Sequence, residues 1–131
     1  MATASDGSLY ITGYTEGNLD GETNAGNSDI FVSKYSSDGT KAWTKLIGTS
    51  SRDIGYGVAT ASDGSIYITG RTSGDLDGET NAGFYDAFLA KYGLDGTKVW
   101  TKLLGSSSSE RGYEVATASD GSVYILSLIH I

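Results

Sequence analysis

Short apolar and β-branched runs alternate with glycine-containing polar turns along this chain. In one stretch strand A, Tyr56–Ala61, reaches strand B, Ile66–Gly70, through Ser62-Asp63-Gly64-Ser65; strand C, Asp86–Tyr92, then reaches strand D, Val99–Leu104, through a turn holding Asp95-Gly96. An Asp-Gly pair between β-prone runs signals a tight hairpin, because glycine accepts the positive φ such turns need. The runs do not alternate cleanly between apolar and polar residues. Leu9-Tyr10-Ile11 and Ile30-Phe31-Val32 are continuous, as in sheets covered on both faces. Strand A, built largely of Val, Ala, Thr and Gly, suits a crowded innermost position.

The same pattern recurs. Ala2-Thr3-Ala4-Ser5-Asp6-Gly7-Ser8 returns at Ala59–Ser65 and at Ala116–Ser122, a period of 57 residues both times, and 39 of 57 positions are identical between residues 2–58 and 59–115. Such a period marks stacked structural units. Four antiparallel strands per unit, both faces buried and a small-residue first strand describe an all-β fold of β-propeller blades. The chain is expected to hold one blade over residues 1–58, a second over 59–115, and the first two strands of a third over 116–125.

The repeat resembles a known family. Leu76-Asp77-Gly78-Glu79-Thr80-Asn81-Ala82-Gly83, then Asp86-Ala87-Phe88, Lys91-Tyr92, Asp95-Gly96-Thr97, Trp100-Thr101 and Leu104-Gly105 look like the SBBP family of bacterial β-propeller repeats. The first unit matches through Leu19–Gly26, Asp29, Phe31, Lys34-Tyr35, Asp38-Gly39-Thr40, Trp43-Thr44 and Gly48. The resemblance implies an extracellular or cell-surface propeller inside a larger protein, with no one shared enzymatic activity.

Both ends interrupt the repeat. Met1 holds the position of Val58 and Val115, and a GTG codon encodes valine internally and methionine at a start, so the coding sequence is expected to extend upstream. After Tyr124-Ile125 the repeat calls for Thr-Gly, yet the chain continues Leu126-Ser127-Leu128-Ile129-His130-Ile131. Those six residues match the in-frame translation of a transposase mosaic-end adapter. We read residues 126–131 as an artefactual tail and the chain as a metagenomic fragment.

Composition narrows the chemistry. The 131 residues carry a net charge of -7, no cysteine and one histidine, His130. That removes disulfides, thiol nucleophiles and cysteine-bound zinc. Nine basic residues against sixteen acidic ones, unclustered, argue against a nucleic-acid partner or an anionic membrane surface. There is no apolar run long enough for a membrane span, and no signal peptide opens the residues given.

In an up-and-down meander the A–B and C–D turns share one end of the blade. The long B–C loops, residues 15–28 and 72–85, and the D–A loops, 48–54 and 105–111, crowd the other, where function concentrates. That end carries Glu16, Asp20, Glu22 and Asp53 in one unit and Asp75, Asp77, Glu79 and Glu110 in the next. Oxygen ligands around a glycine turn suit a hard cation, and Asp20, Asn24, Asp75, Asp77 and Asn81 are the residues that would hold calcium. The competing expectation is a solvated loop whose Asp, Asn and Thr side chains cap their own backbone. Tyr14, Phe84 and Tyr85 differ between units and fall on or beside the B–C loops, which makes them the ligand-contact residues of choice.

No catalytic residue can be named, because no Ser-His-Asp, Cys-His or metal-His set can be assembled. The expected role is a non-enzymatic structural or interaction module without a cofactor. It would self-associate to bury its open blade faces and present a protein or glycan ligand surface at the long-loop end. A calcium-stabilised or glycan-binding propeller is the alternative, and a hydrolytic propeller comes third.

Overall fold

The computed structural model describes residues 1–129, with side chains through Ser127. Ten strands follow in order: β1 Ala2–Thr3, β2 Leu9–Thr15, β3 Asp29–Tyr35, β4 Lys41–Ile47, β5 Asp53–Thr60, β6 Ile66–Thr72, β7 Asp86–Tyr92, β8 Lys98–Leu104, β9 Glu110–Thr117 and β10 Val123–Ile129. They form two four-stranded antiparallel meanders, β1–β4 and β5–β8, and a two-stranded sheet of β9 and β10. The chain is all-β, built of propeller-type blades that do not close into a ring.

The sheets are copies in register as well as in sequence. Leu9 pairs with Tyr35 in the first blade and Ile66 with Tyr92 in the second, and both outer pairs slip by one residue just before that tyrosine. The sheets divide at residues 48–52 and 105–109. Boundaries at 58/59 and 115/116, set by repeat phase, therefore cut through β5 and β9. Two further strands follow, β9 and β10, and both extend beyond residues 116–125. Leu126–Ile129 belong to β10, opposite Glu114, Gly112, Arg111 and Glu110. Backbone pairing draws on no side chain, so it follows from strand formation and not from the origin of those residues; His130 and Ile131 lie outside the described residues.

The Asp-Gly turns form tight hairpins as the sequence suggests, with glycine taking the positive φ. Only the glycine has positive φ, +87° at Gly39 and +85° at Gly96, and its N–H donates to the carbonyl three residues back. The preceding aspartate accepts the N–H two residues on, as Asp38 does from Thr40 at 2.9 Å and Asp95 from Thr97 at 3.0 Å. Glycine supplies the left-handed step and aspartate ties the turn to its own backbone.

Blade packing builds the core. The face of the first blade carrying Tyr10, Ile30, Val32 and Ile47 meets the face of the second carrying Ile66, Ile68, Leu76, Phe88 and Tyr92, in one buried cluster. Trp43 and Trp100 are packing residues, tilted against Tyr10 and Tyr67 with ring centroids 6.2 and 6.1 Å apart. The first strands of successive blades are linked as well: the Thr60 hydroxyl donates to the Thr3 carbonyl at 3.1 Å, and Thr117 to the Thr60 carbonyl at 2.7 Å.

Repeat-related residues should therefore differ in what they contribute. Phe88 is fully buried between blades, whereas Phe31, at the same repeat position, is only half-buried. Phe88→Ala is expected to cost about 3–5 kcal/mol, the range for a buried aromatic, and Phe31→Ala less than half as much. Urea unfolding of the two variants checks this, and equal losses would contradict the packing described.

Candidate functional site: the long-loop end

The B–C and D–A loops meet at one end of the blades. Ser28 lies parallel to Arg52 and Tyr85 to Ser109, and the Asp53 and Glu110 N–H groups donate to the Ser28 and Tyr85 carbonyls at 2.8 Å. These bonds start β5 three residues earlier than the apolar pattern indicates.

Each B–C loop is organised by two side chains. Asn24 donates through its side-chain amide to the Thr15 carbonyl at 3.1 Å and accepts the Gly26 N–H at 2.8 Å. Asn81 does the same to Thr72 and Gly83. The Asn24 N–H donates to Asn18 Oδ1 at 2.9 Å and the Asn81 N–H to Asp75 Oδ1 at 2.8 Å. One acceptor oxygen is what the loop needs at that position, so an amide and a carboxylate serve alike.

Asp20 and Asp77 do something else. Each sits at φ +51°, a left-handed conformation that aspartate tolerates better than most residues. Asp20 reaches back to the outer strand, accepting from Lys41 Nζ at 2.6 Å and from the Thr44 hydroxyl at 2.7 Å. Asp77 accepts from Lys98 and Thr101 in the same way. The bonds to Lys41 and Thr44 hold the Asp20 carboxyl below its ordinary value. The five residues expected to hold calcium thus divide between two tasks, loop capping and loop-to-strand anchoring. Among the described residues no three His, Cys, Asp or Glu side chains gather in a way that could hold a metal ion.

Asp53 and Glu110, expected on the exposed acidic face, are buried instead. Asp53 accepts from the Thr49 N–H and hydroxyl and from the Thr72 hydroxyl, and Glu110 from the Ser106 N–H and hydroxyl. They close the D–A loops over the blade junction. Their neighbours Asp29 and Asp86 open β3 and β7, and both are buried. Asp29 Oδ2 accepts the Ala25 N–H at 2.7 Å, while its Oδ1, like that of Asp86, has no hydrogen-bond partner. Burial first, and the nearby Asp53 charge after it, push the Asp29 carboxyl up, against the Ala25 and Gly26 N–H groups.

The variable aromatics are not brought to one place. Tyr14 is 51% exposed and borders a concavity of about 380 Å³ on the first blade, with Ile11, Leu19, Phe31 and Tyr35. Phe84 is 77% exposed on the second blade's loop. Tyr85 is half-buried under the Arg71 guanidinium, 4.2 Å from its ring centre. A second aromatic pair escapes the expectation that strand A carries small residues. Tyr56 and Tyr113 are each left out of the strand pairing by a bulge, and their rings pack tilted against each other with centroids 5.6 Å apart. Their 57-residue separation inside Gly-Tyr-Gly and Gly-Tyr-Glu is the signal that would have found them.

Meander blades joined face to face, with loops crossing at the junction, define a β-propeller repeat protein. Residues 42–77, which run from β4 across the junction into the second B–C loop, match the SBBP family, described as a beta-propeller repeat, and so support the resemblance that the repeat sequence shows. The chain is also similar to the regulatory protein FlaEY of Caulobacter vibrioides, 29% identical over 137 residues that take in 94% of this chain. The chain spans 14% of that relative's length.

Substitutions at two positions test the electrostatic assignments. Asp75→Asn should leave stability within about 0.5 kcal/mol, whereas Asp75→Ala, which strands the Asn81 N–H, should cost about 1 kcal/mol in thermal or urea unfolding. Equal losses for both would show that the charge matters. The raised Asp29 carboxyl favours its neutral form in the folded chain, so its charge destabilises above the folded titration point, and that cost is relieved as pH falls toward the ordinary value of 3.8. The turn aspartates, such as Asp38 and Asp95, are held below 3.8 chiefly by backbone N–H groups, so their contribution is in place above 3.8 and is lost as pH falls below it. Wild type should therefore gain on Asp29→Asn between pH 7 and pH 4, with both weakening below that. A difference independent of pH across that window would refute the assignment.

Proposed function

We propose that this chain is a non-enzymatic interaction module of an extracellular or cell-surface repeat protein, contacting its partner through the aromatics of the long-loop end. The observation that carries this is the division of labour at that end. Asp20, Asn24, Asp29 and Asp53 of the first unit make the same kinds of loop and junction bonds as Asp77, Asn81, Asp86 and Glu110 of the second, and so serve architecture. Tyr14 and Phe84, which change from unit to unit, stay exposed. Exposed aromatics with a polar surround suit contact with a protein or glycan surface. Similarity to a regulatory protein supports binding over turnover, and the family resemblance supports a surface location.

A glycan ligand is favoured at the second blade, where the Arg71 donors stack on Tyr85 in the B–C loop that also carries Phe84. Screening the chain on a glycan array and measuring the best ligand by calorimetry tests this. Phe84→Ala is expected to weaken binding about tenfold, or about 1.4 kcal/mol. Affinity unchanged by both Phe84→Ala and Tyr14→Ala, or ligand turnover abolished by Asp77→Asn, would overturn the reading.

A further inference from the structure

The loop bonds are duplicated between the units, so the loop positions that differ mark chemistry confined to one blade. Arg71, Phe84 and Tyr85 stand where the first blade has Tyr14, Asn27 and Ser28. In the second blade these changes come together. The Arg71 guanidinium lies over the Tyr85 ring, 4.2 Å from its centre, and Phe84, the preceding residue of the loop, is 77% exposed.

Three lysines of the outer strands are paired, Lys41 with Asp20, Lys45 with Glu22 and Lys98 with Asp77. Arg71 is not: among the described residues no acceptor reaches its guanidinium, and its Nε is enclosed without a hydrogen-bond partner, which leaves the two Nη groups to meet anything outside. A cation partly withdrawn from water and given no acceptor is held at a cost. Stacking on Tyr85 offsets part of that cost and fixes the plane of the guanidinium fork. The carboxylates beside Tyr85 are buried and committed to the loops, Asp86 accepting the Ala82 N–H at 2.9 Å and Glu110 the Ser106 N–H at 3.0 Å.

This spot has the neighbours that a finished junction supplies. At the first junction the strand of the next blade that lies over β2 and β3 is β5, and at the second its counterpart β9 lies over β6 and β7. The D–A loop is in place as well, through the Glu110 N–H to the Tyr85 carbonyl. The unpaired fork therefore belongs to the junction itself.

We propose that Arg71, Tyr85 and Phe84 form a site for a carboxylate-bearing sugar residue, a hexuronate, with the Arg71 Nη groups on the carboxylate and Phe84 against the apolar face of the pyranose ring. The proposal rests on the reading of the long-loop end as a glycan surface and assigns the charge of that glycan. A planar fork matches the two oxygens of a carboxylate, and Tyr85 holds it ready. An exposed ring beside it suits the C–H face of a sugar. The rest of the chain limits how much charge the ligand carries. Sixteen acidic residues against nine basic ones repel a densely sulfated or phosphorylated polymer, whereas one carboxylate on one guanidinium adds no net charge.

Calorimetry on the intact chain with trisaccharides of galacturonate and of glucuronate, each as the acid and as the methyl ester, tests this, because the ester keeps the ring and removes the charge. The wild type is expected to bind an acid about tenfold more tightly than its ester, and Arg71→Gln to bind both as the wild type binds the ester. Arg71→Lys, which keeps the charge and loses the fork, should retain a smaller preference. Circular dichroism melts verify that both variants fold. Equal wild-type affinity for acid and ester, a preference that survives in Arg71→Gln, or one undiminished in Arg71→Lys would overturn this inference and leave a neutral-glycan surface standing. A wild type that binds no saccharide, or an acidic peptide in place of one, would overturn the glycan reading along with it.

Discussion

Burial of one sheet face against the next is the constraint on which the rest of this molecule depends. A four-stranded meander with apolar residues on both faces has nowhere to hide them alone, and each large side chain left in water forgoes roughly 2 kcal/mol. Tyr10, Ile30, Val32 and Ile47 therefore make a core only in company with Ile66, Ile68, Leu76 and Phe88 of the following unit. The hydrophobic core of this chain is a joint between repeats, as in other stacked-repeat proteins.

A core of this kind dictates the chemistry around it. Bringing two sheets face to face forces the connecting loop to cross a junction where water is excluded. The polar groups of that loop must then be satisfied from within. Asp53 and Glu110 take up the N–H and hydroxyl groups of the turns at Thr49 and Ser106, and the Ser28 and Tyr85 carbonyls take up the strand-initiating N–H groups. The B–C loops are solved by the same means, with Asn24 and Asn81 capping and Asp20 and Asp77 anchoring. Much of the acidic charge at this end is thus the consequence of folding long loops over a dry joint.

Much of this was legible in the sequence, and the rest was hidden for identifiable reasons. The strand Asp86–Tyr92 and the Asp-Gly turns follow from local patterns, because turn geometry and β propensity act over a few residues. The period gives the blades. It does not give their limits, since the repeat phase is arbitrary with respect to where a sheet begins. Asp53 and Glu110 look like loop carboxylates because burial depends on the neighbouring blade, and nothing within a few residues of them announces it. Tyr56 and Tyr113 were obscured by the small residues around them. A bulge removes a residue from the pairing without changing the apolar pattern of the strand.

Leu126 shows how far the repeat determines each position. Its counterpart Thr69 is fully buried and donates its hydroxyl to the Phe88 carbonyl on the adjacent strand at 2.7 Å. Among the described residues no third strand lies alongside β10 to offer that carbonyl, and Leu126 is 64% exposed. A threonine there would lack the acceptor its position is built around, and a leucine lacks the sheet it would pack on. The strand forms all the same, because its backbone bonds to β9 need neither. Secondary structure in this fold is therefore set within one hairpin, whereas the identity of the side chains is set by the neighbours a complete blade supplies. That separation is why two strands of a blade can hold their shape beside a finished one and still leave an unfilled apolar margin at Leu104.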